Sequence, residues 1–292
     1  SVLNAAKSLE KLGFETVVVP VDGLGRLDPG DVRKALTKDT ILVSVQTANS
    51  EVGTLEPVAE IARISRENGV PFHTDAVAAA GNVPVDVRAL SADALSLAAD
   101  QFYGPKGAAA LYLRKGTRIV PLVDGGVQEG GRRGGTENVP AIVGMGFAAE
   151  IAVAEMTKRI ATETSLRDRL IRGLLERVDR SVLTGDPANR LPHHASFCVE
   201  FIEGEAMLLH LDMKGVAASS GSACTSKSLK VSHVLLAMGV EHALAQGSLV
   251  FSLLETTTAA DIDHVLEVFP PIVDKLRRMS PLYTKFLEEK TS

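Results

Sequence analysis

Between Ile41 and Leu113 the chain alternates short apolar runs with segments of helical period. That rhythm restricts the fold more than any other feature. Ile41-Leu42-Val43-Ser44-Val45 reads as a strand, nearly all apolar and so expected to be buried on both faces. Pro57 to Asn68 has helical spacing and is stopped by Gly69. Val70 to Asp75, Ala94 to Ala98 and Ala108 to Leu113 read as further strands. Ahead of them, Val2 to Leu12 reads as a helix ended by Gly13, and Glu15 to Val19 as a strand. Asp28-Pro29 caps a short helix to Leu36, with the proline at its first position. Strands separated by helices imply an α/β fold with a mostly parallel sheet and helices on both faces. Ligands of such sheets gather beyond the carboxyl ends of the strands, where Asn49, Asp75 and Gln101 fall.

The second half has a different texture. Gly125 to Gly135 is a glycine-rich loop, and Val139 to about Arg180 reads as one long connecting helix with a break expected near Thr162 to Thr164. Short strands follow at Ala195 to Phe201, Gly215 to Ala218 and Leu249 to Leu253. Helices are expected at Glu203 to Lys214, Ser232 to Met238 and Ala259 to about Arg278. We therefore expect two units: residues 1–145, a sheet with helices, and residues 146–292, the connecting helix and a smaller α+β domain.

The chain has 292 residues, is 45% hydrophobic and carries a net charge of −5. That length supports a substantial core, and the mild acidity argues against a broad nucleic-acid surface. No membrane span is expected. The opening Ser1-Val2-Leu3-Asn4 lacks the basic and apolar regions of a signal peptide and has no start methionine, so it reads as the start of a fragment.

Of the two cysteines, Cys198 lies in the alternating run Ser196-Phe197-Cys198-Val199-Glu200-Phe201 and reads as a core residue. Cys224 lies in Ser219-Ser220-Gly221-Ser222-Ala223-Cys224-Thr225-Ser226, a run of tiny residues in which a thiol can reach another molecule. Their spacing offers no zinc site, and a chain with this cysteine usage is expected to be cytoplasmic, where structural disulfides are rare.

Seven segments, taken together, resemble the cysteine desulfurase family, the NifS/IscS-type enzymes of fold-type I that use pyridoxal phosphate. They are Ile41 to Val45, Ala48-Asn49-Ser50-Glu51-Val52-Gly53, His73-Thr74-Asp75-Ala76, Tyr103-Gly104-Pro105-Lys106-Gly107, Arg133-Gly134-Gly135-Thr136-Glu137-Asn138, Glu203-Gly204-Glu205 and the Ser219 to Ser226 loop. They stand in the family's order and at nearly its spacing. The resemblance implies part of a fold-type I large domain followed by the small domain, with a portion of the family's pattern ahead of Ser1. It also implies a homodimer and an iron–sulfur scaffold protein as partner.

By that resemblance, Asp75 matches the carboxylate paired with the cofactor's ring nitrogen; the plainer reading is a strand-end aspartate capping the next segment. Thr136 matches a phosphate-binding threonine contributed across the dimer interface, or is simply a loop hydroxyl. Cys224 matches the cysteine that takes sulfur as a persulfide, and thiolate is also the usual ligand of iron–sulfur clusters.

Other positions depart from the pattern. Gln101 stands where the family has its imine lysine, Asp100 where it has a histidine and Ala98 where it has a phosphate-binding serine. Ala78 replaces the glutamine on the phenolic oxygen, and Ser50 replaces the second asparagine. Val250 replaces the arginine that grips the substrate carboxylate, and Leu254-Glu255 stands for a Gly-Arg pair. An amide forms no imine and moves no proton, and loss of a general acid–base alone costs roughly 10²–10⁴ in rate. Lys106 belongs to a turn that the family keeps in addition to its imine lysine.

Three readings follow. In the first, Cys224 carries sulfur delivered from elsewhere, or ligates a transient 2Fe-2S cluster, without imine chemistry in this chain. In the second, a working desulfurase is completed by another chain or residue. The third is a decayed product without activity. The assignment of core and loop roles predicts that iodoacetamide alkylates Cys224 faster than Cys198 in the folded protein, with mass-spectrometric labelling rates as the check.

Overall fold

The chain folds around two separate sheets in a computed structural model that describes residues 2–221 and 231–291. The first unit opens with α1 (Val2–Glu10) and α2 (Pro29–Ala35), whose N-cap Asp28 accepts a hydrogen bond from the Gly30 amide as its sequence promised. Next come β1 (Val43–Gln46), α3 (Val58–Glu67), β2 (Phe72–Asp75) and β3 (Ala94–Ala98). A 3-10 turn (Ala99–Phe102) then leads to β4 (Ala109–Leu113). The strands lie in the order β1-β2-β3-β4; the first three are parallel and β4 runs antiparallel to β3.

Alternation along the strands separates the two faces. Val43, Val45 and Phe72 join Val58, Ile61 and Ala62 of α3 in one apolar cluster. Ser44, Gln46, His73, Asp75 and Ser96 stand on the opposite face.

A single-turn α4 (Gln128–Gly131) precedes α5 (Val139–Arg177), a 39-residue helix. The second sheet follows, with β5 (Ser181–Leu183), β6 (His194–Val199) and β7 (Ser248–Ser252) paired antiparallel in that order. Between β6 and β7 lie α6 (Gly204–Asp212), α7 (His233–Ala237) and α8 (His242–Ala245), and after β7 come α9 (Ala259–Arg278) and α10 (Pro281–Thr291). One face of this sheet packs Phe197, Leu249 and Phe251 against Met207, Leu211, Phe269 and Leu170, the largest apolar cluster among the described residues. Removing that much apolar area from water at about 25 cal/mol per Å² is what holds α5, α6 and α9 to the strands.

Several expectations need correction. Residues 15–19 form no strand; Val17 and Val18 are exposed, and no neighbouring strand among the described residues supplies the hydrogen bonds that would fix them. The β1 segment is not buried on both faces. Ile41 and Leu42 are exposed and the strand itself is half-buried, because β1 is the edge of the sheet. Helix α5 continues unbroken through Thr162 to Thr164. Residues 215–218 are not a strand; only Ser219 makes a bridge, to Val250. Strand β5 and helices α8 and α10 were not foreseen.

Contrary to the membrane argument from sequence, α5 holds a stretch long and apolar enough, by those two criteria alone, to cross a bilayer. In this fold its Ala141, Ala148 and Ala152 face packs on Phe102 and Ala108.

Tyr103, just after the 3-10 turn, meets α5 and the segment after β7 at a polar knot. Arg159 of α5, 6% exposed, pairs with Glu255 at 3.2 Å and lies over the Tyr103 ring at 5.1 Å, while the Glu255 amide donates to the Tyr103 hydroxyl at 3.2 Å. Glu163, one turn on and 2% exposed, has its pKa raised to about 7 by burial, with Arg159 opposing and Glu255 adding to the shift. The folded state thus holds a proton there that the unfolded chain releases near 4.5. Glu163 therefore opposes folding above pH 7, and this cost fades as the pH falls from 7 to 4.5. Glu163→Gln, which mimics the protonated form, is expected to be more stable than the parent by about 1–3 kcal/mol at pH 8. The gain should disappear near pH 4.5, as read by urea unfolding at both values.

Candidate functional site

The polar face of the first sheet is organised by one histidine. His73 projects between β1 and β3; its Nδ1 is 2.8 Å from the Ser44 hydroxyl and its Nε2 is 2.9 Å from the Ser96 hydroxyl. The parallel register places Ser44 opposite His73 directly, and Asp75 opposite Ser96. Burial lowers the His73 pKa, with nearby Asp75 opposing, so the ring is neutral at pH 7. Asp75 ends β2. Its Oδ1 accepts the Val77 amide at 3.0 Å, which is the capping role read from the sequence, and its Oδ2 has no hydrogen-bond partner among the described residues. The arrangement is a neutral imidazole held by two hydroxyls beside a carboxylate at a strand's carboxyl end.

Beyond β1 the chain turns sharply through Asn49 to Gly53. The Asn49 side chain accepts the amides of Glu51 (2.8 Å) and Val52 (3.0 Å), closing an Asx-type turn. Gly53 has φ +80°, and a Cβ there would sit 2.8 Å from Nδ1 of His194, so the position requires glycine. The second sheet grips this turn. His194 Nε2 donates to the Ser50 carbonyl (3.0 Å), and Arg190 Nη2 donates to the Val52 carbonyl (3.1 Å). Burial and Arg190 hold the His194 pKa down at about 3, so it is a neutral donor here. The Glu51 carboxylate accepts the hydroxyl of Ser232, the N-cap of α7.

The remaining expected positions divide. Ala98 ends β3, two residues past the Ser96 that pairs with Asp75, and half-buried Ala78 lies in the turn after β2. Gln101 is exposed on the 3-10 turn that follows, and its amide donates to the Asp100 carboxylate at 3.1 Å. Ser50 is exposed at the tip of its turn. Thr136 is exposed, and no hydrogen bond among the described residues ties it to the others. Val250 is buried in β7, its backbone bridged to Ser219. Cys198 is fully buried and its thiol is pushed up to about 12, which agrees with the core role. Cys224 lies outside the described residues. Lys106 is exposed in its turn.

These residues do not fit a covalently held pyridoxal phosphate. Asp75, which the resemblance pairs with the ring nitrogen, stands at its strand end, but position 101 offers an amide engaged with its neighbour, and positions 78 and 98 offer only methyl groups.

Comparison with known proteins accounts for the frame. Residues 1–265 match the aminotransferase class-V family. The chain is 49% identical over 292 residues to the cysteine desulfurase IscS of Dictyoglomus turgidum, covering all of this chain and 74% of that protein. It is 52% identical over 285 residues to the IscS of Methanosarcina thermophila, covering 98% and 70%. Among solved structures, a NifS-like protein superposes with a TM-score of 0.87 at 36% identity, covering 94% of this chain and 72% of that one. A NifS-like protein from Rickettsia africae gives 0.84 at 29% identity, covering 92% and 72%. The chain belongs to the cysteine desulfurases of the aminotransferase class-V family, a pyridoxal-phosphate-dependent group.

Sequence reasoning missed the hydroxyl pair around His73, the grip of Arg190 and His194, and the link from Glu51 to Ser232. Alternation in Val43-Ser44-Val45-Gln46 and Phe72-His73-Thr74-Asp75 carried the first signal, since it puts Ser44 and His73 on one face. The others join residues more than 130 positions apart and leave no local pattern. Asn49→Ala would orphan two amides in a mostly buried turn, and we expect it to cost about 2 kcal/mol or more. Asn49→Asp, which keeps the acceptor, should cost less; urea unfolding of both variants checks this.

Proposed function

We propose that this chain serves iron–sulfur cluster assembly as a desulfurase relative that carries sulfur on Cys224, or ligates a transient 2Fe-2S cluster through it, toward a scaffold protein. It does so without forming a pyridoxal imine of its own. The observation that carries this reading is Gln101, an exposed amide bonded to Asp100 where an amine would be required. A balanced loading step is available. The Cys224 thiolate attacks the outer sulfur of a donor persulfide, a new S–S bond forms as the donor's S–S bond breaks, and the donor leaves as a thiolate, with no net oxidant needed.

The working-desulfurase reading draws support from one feature, the preserved Asp75 and His73 frame. It requires an amine from another chain or another residue. A homodimer is supported by the exposed apolar stripe Val139, Val143 and Phe147 on α5, which begins just after Thr136. A cytoplasmic setting without membrane attachment and a division into residues 1–145 and 146–292 complete the proposal. A free buried thiol at Cys198 and two separate sheets support them.

The test is to add pyridoxal phosphate and cysteine to the purified protein. We expect no imine band near about 420 nm, where the conjugated imine absorbs, and no alanine. A low-molecular-weight persulfide should load Cys224, and Cys224→Ser should abolish the loading. An imine band with sustained alanine formation would overturn the proposal.

A further inference from the structure

At the amino end of the parallel strands, three arginines from three elements converge. Arg66 stands in the last turn of α3, Arg88 in the turn that precedes β3, and Arg114 directly after β4. With Val87, Ser91 and Tyr112 they line a cleft of about 300 Å³. Asp75 belongs to the other end of the sheet. It pairs with Ser96, four residues beyond Ala92 and roughly 13 Å along the strand at about 3.3 Å per residue.

The backbone fixes two of the guanidinium groups. Arg66 Nη2 donates to the Ser91 carbonyl at 3.1 Å. Arg114 donates to the next carbonyl, that of Ala92, through Nε at 3.3 Å and Nη2 at 3.0 Å. Ser91 has φ +55°, a left-handed conformation, and the sharp turn there lets consecutive carbonyls serve two different arginines. The turn is itself closed: the Leu90 amide donates to the Asp86 carbonyl at 2.8 Å, and the Ala92 amide to the Val87 carbonyl at 3.2 Å. Cations held in this way cost less to order when a ligand binds.

Their charges are not balanced locally. Arg114 pairs with Asp93 at 3.1 Å. Arg66 bonds only to the Ser91 carbonyl, and the Arg88 guanidinium has no hydrogen bond or ion pair among the described residues. The neighbouring carboxylates are engaged elsewhere. Asp86 accepts the Arg88 amide at 2.8 Å, and Glu67 is held by Arg33 and Arg63. Two guanidinium groups therefore line the cleft without a carboxylate partner, in a chain whose net charge is −5.

We propose that this cleft binds a phosphomonoester: Arg66 and Arg88 take the phosphoryl oxygens, and Tyr112 and Val87 receive the organic group. A phosphomonoester carries nearly two negative charges at neutral pH, which matches the two unpaired cations. The planar fork of arginine suits phosphate oxygens in pairs. Half-buried Tyr112 offers a ring, and its hydroxyl has no hydrogen-bond partner among the described residues. The cleft is small for a ligand site, which favours one phosphoryl group with one ring over a dinucleotide. This site involves neither Cys224 nor the position of Gln101, so it stands or falls apart from the sulfur-carrier reading.

The experiment titrates phenyl phosphate into the full chain at low ionic strength by calorimetry, with inorganic phosphate, malonate and phenol as comparison probes. We expect one phenyl phosphate site, weaker binding of inorganic phosphate and of malonate, and none of phenol. Arg88→Ala should weaken phenyl phosphate at least about tenfold, the usual weight of a hydrogen bond to a charged group. The urea midpoint should stay unchanged, because that guanidinium holds nothing else in the fold. Arg88→Lys, which keeps the charge and loses the fork, should recover only part of the affinity. Tyr112→Ala should weaken phenyl phosphate and leave inorganic phosphate as it was.

Absence of saturable binding by either phosphate overturns the proposal, and so does an affinity unchanged in Arg88→Ala. Malonate binding as tightly as phenyl phosphate overturns the choice of a phosphoryl group. Equal affinities for phenyl phosphate and inorganic phosphate overturn the ester and identify free phosphate as the ligand.

Discussion

The buried Asn49–Gly53 turn is the constraint on which the rest of the site depends. A backbone that leaves a sheet and reverses within five residues exposes amides and carbonyls that must find partners or cost about 1–3 kcal/mol each. Here the partners come from both halves of the chain: Asn49 itself for the amides, and His194, Arg190 and Ser196 for the carbonyls. The Gly53 carbonyl takes the Leu191 amide. The turn therefore cannot form fully until the second sheet is in place, so the polar face of the first sheet is completed by residues from the second.

That dependence explains the charge states around it. Arg190 sits 3% exposed and its pKa is lowered to about 10 by burial and by Arg167, yet it remains a cation at neutral pH, bonded to backbone carbonyls. A buried cation of this kind holds nearby histidines neutral. His193 falls to about 4, with burial as the larger cause and Arg167 the second, and His194 falls further. A neutral imidazole at 194 donates one hydrogen bond to Ser50 without adding charge. The same logic applies at His73, whose two hydroxyl neighbours suit a neutral ring.

The layout of the fold was largely legible, because strand alternation and helix stops are local. Strand β3 and helix α9 appear as read, and Asp28 caps α2 as read. What failed was also physical. An apolar run such as Glu15 to Val19 becomes a strand only when a neighbour pairs with it, and no property of the run itself supplies one. The positions that depart from the resembled pattern were legible residue by residue, but their surroundings were not. Only the structure shows that Gln101 turns to Asp100, and that Val250 is buried where the resemblance implies an arginine. The grip on the turn was invisible, since Arg190 and His194 look in sequence like ordinary polar residues before a strand.

The distribution of substitutions bears on whether this chain has merely decayed. Loss without selection would scatter polar and charged residues through the cores and leave new charges unmatched, at a cost of about 3–5 kcal/mol for each broken buried pair. The apolar cores around Phe197 and Phe72 are instead intact. The position where the resemblance implies an arginine after Leu254 carries a carboxylate, and that carboxylate meets Arg159 of α5 and lends its amide to Tyr103. A charge opposite to the one the resemblance implies has a partner of opposite sign where α5 meets Tyr103. Beside Gln101, the Glu255–Arg159 pair, the Asn49–Gly53 turn and the Glu51–Ser232 link all stand in the fold.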